Sequence, residues 1–232
     1  MNRIVVSFVL LCFLSTCSLF AQFAYIPHIT SSAGGFETEI WLVRVKPSDV
    51  PFSLTGVTFA GQEMVSSAIE IKVGESLKMD LSELFAAEDV SWLRFDANAG
   101  VVATAQYKAK GDEKGTAHSH QTMDASTRWR IYAGENRLVW DGLALVNPHD
   151  EPSSFFYEAF DETGQSIGSI FPFAPLMPLG KDLTILSDSL PNAAYYEISS
   201  QFPLVLTSLR GDQAGADRLW VNPAVSLAED EE

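Results

Sequence analysis

Two hydrophobic patterns recur along the chain, and both predict strands. Ile69, Glu70, Ile71, Lys72 and Val73 alternate apolar and polar with period two, so Ile69, Ile71 and Val73 would share one face of a half-buried strand. Val101 to Ala105 and Leu204 to Leu206 are short apolar runs, the pattern of a strand covered on both faces. Gly or Pro, often beside Asp or Asn, interrupts these segments at intervals of about ten residues, as at Gly61, Gly74, Gly100, Gly164, Gly180 and Pro203. Short strands with turns at that spacing predict antiparallel sandwiches. Only Ser82 to Glu88 and Pro191 to Tyr195 read as helical, each for about a turn or two, and each is expected to cross from one sheet to the other.

The same order of signals comes twice. Ile40, Trp41, Leu42 and Val43 precede a Pro-x-Asp break at Pro47 to Asp49, and Leu143, Ala144, Leu145 and Val146 precede another at Pro148 to Asp150, about one hundred residues later. Gly61 then corresponds to Gly164, Gly74 to Gly180, Leu84 to Leu190 and Trp92 to Tyr196. Lys110-Gly111-Asp112 with Gly115 corresponds to Arg210-Gly211-Asp212 with Gly215. The expected fold is therefore all-β, with two tandem antiparallel β-sandwich modules related by an internal repeat. Module 1 would cover 22–115 and module 2 128–228, with a linker or closing strand at 116–127 and an acidic tail at 229–232. Trp92 and Tyr196 should fill equivalent core positions.

Particular residues add a resemblance. Ile26-Pro27-His28, then Gly34-Gly35-Phe36 with Thr38, Ile40, Leu42 and Val43, then the strands Trp92 to Phe95 and Gly100 to Tyr107, together with Leu145-Val146-Asn147-Pro148 in the second half, resemble the tandem β-sandwich repeat modules of exported bacterial proteins. The likeness runs over nearly all of the chain after the first twenty or so residues. It implies the fold and the export, and it carries no functional residues across.

Export is also expected from the N-terminus, where Arg3 precedes an apolar run from Ile4 to Leu14 that is too short for a stable membrane anchor. Residues 1–21 read as a signal peptide cleaved after Ala21, giving a periplasmic, cell-surface or secreted protein. The competing site is the lipoprotein-like Leu14-Ser15-Thr16-Cys17, in which β-branched Thr16 stands where Gly or Ala is usual. Cleavage after Ala21 removes both cysteines, Cys12 and Cys17, so modules of this size would be held by their cores and not by disulfides. No transmembrane span is expected in the mature chain. The net charge is −15, without any cluster of Lys and Arg, which argues against a nucleic-acid partner.

Few motifs carry chemistry. Gly164-Gln165-Ser166-Ile167-Gly168 spells a nucleophile elbow, but all four histidines (His28, His118, His120 and His149) precede it, and Pro172, Pro175 and Pro178 bar the helix that should follow. Arg210-Gly211-Asp212 spells an adhesion tripeptide, for which a glycine turn at a strand end is the simpler account. His118-Ser119-His120 would put two imidazoles on one face of a strand, a metal-site geometry that needs a third ligand such as Asp124, His28 or His149. The clearest contact surface is the uncharged stretch around Phe171, Phe173 and Met177, which either packs on a sandwich or faces a partner. No motif calls for a cofactor. The expected function is that of a non-catalytic exported binding or cell-envelope interaction protein, whose partner is an envelope or extracellular protein or a glycan. The alternatives are a metal-dependent enzyme using His118 and His120, and a structural spacer without ligand.

Overall fold

The computed structural model describes residues 22–30, 35–47, 51–85, 89–109, 116–135, 138–212 and 219–227. The expected signal peptide, the acidic tail, the Lys110-Gly111-Asp112 turn and Gly215 lie outside the described residues.

The chain is mostly β. The first half contributes β1 (Phe23–Ile26), β2 (Phe36–Arg44), β3 (Thr55–Thr58), β4 (Glu63–Val65), β5 (Ser76–Asp80), β6 (Val90–Asp96), β7 (Val101–Ala109) and β8 (Thr116–His120). The second contributes β9 (Ser126–Tyr132), β10 (Val139–Val146), β11 (Phe155–Phe160), β12 (Ser166–Ile170), β13 (Lys181–Ile185), β14 (Tyr195–Asp212), β15 (Leu219–Asn222) and β16 (Ala224–Ser226). Every strand pairing among the described residues is antiparallel. In the first half one sheet has the order β4-β3-β6-β1 and the other β5-β2-β7-β8. In the second half β14 serves both sheets. Its first part, Tyr195 to Ser200, lies between β11 and β9, and its later part, Val205 to Asp212, lies between β10 and β15. The pairing with β9 shifts register between Ser199 and Leu204, which is how a single strand turns the corner between packed sheets. Among the described residues no helix is long and apolar enough to cross a membrane.

Local chemistry decides where the pattern misleads. Ile69 and Ile71 are buried as the alternation requires, but Val73 is exposed, and Ile69 makes only an isolated bridge to Phe52 with no ladder following among the described residues. β7 is covered on one face only, since Val102 is exposed. Leu204 to Leu206 is buried throughout, as an apolar run should be. The first short helix is α1 (Leu81–Leu84), capped by Asp80 and Glu83 acting on each other's backbone. The second is α2 (Leu186–Ser189), which lies before Pro191 and not after it. A residue preceding proline is pushed out of helical geometry, and Leu190 has φ −132°.

The two halves share a core. Leu209 and Leu219 of the second half are buried in the same cluster as Ile40, Leu42, Phe95 and Tyr107 of the first, and Trp140 packs against it. A smaller cluster joins Val57 and Trp92 to Val146 and Val205. This corrects the equivalence expected for Trp92 and Tyr196. Leu93 and Phe95 alternate inward on β6, so Trp92 points out of its own sandwich and is buried against the other half, whereas Tyr196 lies inside the core of the second half. Trp92 Nε1 donates to Leu179 O at 3.0 Å across that boundary.

Candidate functional site

The stretch after β12 divides into a displayed part and an anchored part. Phe171 is 67% exposed, Met177 is 59% exposed and Phe173 projects fully into solvent. Phe171 is held against Phe156 with ring centroids 5.2 Å apart and planes at 22°, a stacked pair on the surface. Behind them Leu176 is buried and exchanges both backbone hydrogen bonds with Ser153 at 2.9 Å. Asn147 is fully buried, and its amide nitrogen lies within hydrogen-bond range of Glu151 O at 2.7 Å, Leu176 O at 3.0 Å and Met177 O at 3.2 Å. The Asn-Pro turn after β10 thus holds the base of the loop. Leu179, in the left-handed region with φ 55°, donates its N–H to His149 O and accepts from Trp92, which ties the base to the first half as well. Pro172, Pro175 and Pro178 fix φ along the way. Packing and exposure therefore both occur, in different residues of one loop.

His118 and His120 stand on β8, which pairs with β7 as a closing strand of the first half. Both side chains are exposed on the outer face of that sheet, as period two requires. Register places His120 beside Thr104, which faces Trp41, and His118 beside Gln106, which faces Glu39. His120 Nδ1 and Thr104 Oγ1 are 3.1 Å apart, and Trp41 Nε1 donates to Gln106 Oε1 at 3.1 Å. Two of the third ligands considered for a metal are engaged elsewhere: His28 meets Lys181 at 2.9 Å, and His149 Nε2 meets Pro203 O at 2.8 Å. Among the described residues no group of three or more His, Cys, Asp or Glu is placed to hold a metal ion.

Two other motifs resolve into structure. Ser166 opens β12 of a hairpin and donates to Glu158 Oε1 at 2.6 Å, so the strand-turn-helix elbow is not formed at this serine. Arg210 lies within β14 and not at a tip. Its Nε donates to Asp141 Oδ1 at 2.7 Å and its guanidinium donates to Tyr132 O at 2.7 Å, with Asp141 fully buried.

What sequence reasoning missed is the joint between the halves. Lys181 is buried, and its ammonium donates to Ser91 O at 2.6 Å, to His28 Nδ1 at 2.9 Å and more loosely to Ile29 O at 3.5 Å. Those are three acceptors for three donors, all from the first half. Burial pushes Lys181 down to about 7, and burial followed by the neighbouring Lys181 charge holds His28 well below the usual histidine range. One signal was available: Lys181 is in phase with Leu183 and Ile185, a charge in the apolar phase of a strand.

The chain matches no family model, no curated protein and no solved structure.

Proposed function

We propose that this is a non-catalytic exported protein that binds a component of the cell envelope or its surroundings, a protein or a glycan, through the apex formed by Phe171, Phe173 and Met177. The observation that carries the reading is the contrast within the loop. Three large apolar side chains project outward from a backbone whose base is fixed by Asn147, Ser153 and Trp92. A fixed base lowers the ordering entropy lost on binding, and exposed aromatics are the side chains that dominate contact surfaces. In this reading the two halves are a tandem repeat of one sandwich. In support, β12-β11-β14-β9 repeats the order β4-β3-β6-β1, and β13-β10-β14-β15 repeats β5-β2-β7-β8. The uncharged segment between β12 and β13 is then the part of the second copy that serves binding. Export rests on the N-terminal residues 1–21.

A photoreactive phenylalanine analogue in place of Phe173, expressed in cells that export the protein, tests this reading. A discrete cross-linked product from that position, absent when the analogue replaces exposed Phe59 in the first half, is expected. Equal labelling from both positions would overturn it.

A further inference from the structure

β13 has its polarity reversed. Asp182 and Thr184 point into the sandwich, where Tyr157 donates to Asp182 Oδ2 and Thr184 Oγ1 donates to the same oxygen at 2.9 Å. Alternation then turns Lys181, Leu183 and Ile185 to the outer face. The first half covers Lys181, but Leu183 and Ile185 remain 49% and 43% exposed. With Trp140, Ala144, Leu209 and His28 they line a cavity of about 360 Å³. That volume lies in the range of small-molecule sites, about 300–1,000 Å³.

The walls are mostly apolar, with Thr184 on one side and His28 at one end, where the hydrogen bonds around Lys181 set the chemistry. Because the Lys181 ammonium donates to Nδ1 of His28, the imidazole proton is on Nε2, and that N–H has no partner among the described residues. Lys181 meets two carbonyls and an imidazole but no carboxylate, so its charge is not neutralised locally. One end of an apolar cavity is thus electropositive in a chain of net charge −15. An anionic acceptor beside a half-buried N–H with a cation behind it forms a charge-assisted hydrogen bond in a setting where solvent screens weakly.

We infer that this cavity binds a small amphiphilic carboxylate, its apolar body on Leu183, Ile185 and Leu209 and its carboxylate accepting the Nε2–H of His28 in front of Lys181. The site is separate from the Phe171 to Met177 apex and does not depend on it. Tyr107, whose ring lies 5.5 Å from that of His28 and whose hydroxyl donates to the backbone His28 O at 2.8 Å, packs against the imidazole and anchors its backbone.

Calorimetric titration of the exported chain at a pH near 6.5 with octanoate, and separately with octylammonium, tests the charge complement. Octanoate is expected to saturate a single site at least about tenfold more tightly than octylammonium, which is the difference one close charge-assisted contact makes. Leu183→Trp, which fills the cavity from a partly exposed position, is expected to weaken octanoate by about tenfold or more at an unchanged thermal midpoint. Ile185→Trp serves as a second filling variant should the first fail to fold. No saturable octanoate binding at millimolar concentration, equal binding of the two head groups, or wild-type affinity in a folded filling variant would each overturn the inference.

Discussion

Replacing Trp92 with alanine empties the boundary between the two halves. Trp92 is fully buried among Val57, Val146 and Val205, with the Tyr25 ring 6.3 Å away and its indole N–H donated to Leu179 O. Truncating a buried aromatic to alanine costs about 3–5 kcal/mol through lost transfer energy and the cavity left behind. The carbonyl of Leu179 loses its partner as well, which adds roughly 1 kcal/mol when the group stays dry. A fall of about 4–6 kcal/mol in unfolding free energy is therefore expected from guanidinium titration, with the slope unchanged. Trp92→Phe separates the contributions, because it keeps most of the apolar contact and loses only the N–H; its loss should be about 1–2 kcal/mol. A loss below about 1 kcal/mol for the alanine variant would refute the idea that this side chain holds the halves together.

Two further outcomes are expected. Gly61 has φ +81°, and a Cβ there would lie 2.7 Å from Pro178 O, so Gly61→Ala should destabilise by about 2 kcal/mol or more and loosen the loop base; an unchanged urea midpoint would count against it. Lys181 and His28 both hold fewer protons folded than unfolded, so the unfolded chain takes up protons as pH falls and stability rises with pH. His28 contributes a loss of stability as pH falls below its ordinary value near 6.5, and Lys181 contributes a gain as pH rises from about 7 toward 10.5. Lys181→Met should abolish the alkaline rise in the denaturation midpoint, and a rise that survives the substitution would assign it to another group.

Much of the sandwich was legible because strand and turn signals are local. The Gly164 turn and the apolar run Leu204 to Leu206 follow from period and punctuation alone, whereas the sequence left 116–127 open between a linker and the closing strand that β8 forms there. What escaped depends on which surface covers an outward face. Trp92 is in the outward phase of β6 and is buried only because the second half lies against it, and Lys181 looks like a solvated lysine until β6 and the segment after β1 close over it. Ile69 to Val73 has the alternation of a strand, but among the described residues it forms only the Ile69–Phe52 bridge. For the loop, sequence identified the uncharged segment, while the division between anchored Leu176 and displayed Phe173 needed the Asn147 hydrogen bonds.

The binding reading is tested most directly by substituting Phe173 and Met177 together with serine and measuring both the thermal midpoint and the retention of the envelope component captured by the wild type. Both side chains are exposed, so their loss should leave the midpoint within about a degree or two while retention is abolished. A clear fall in the midpoint, with wild-type retention by the folded remainder, would contradict the binding role of this loop.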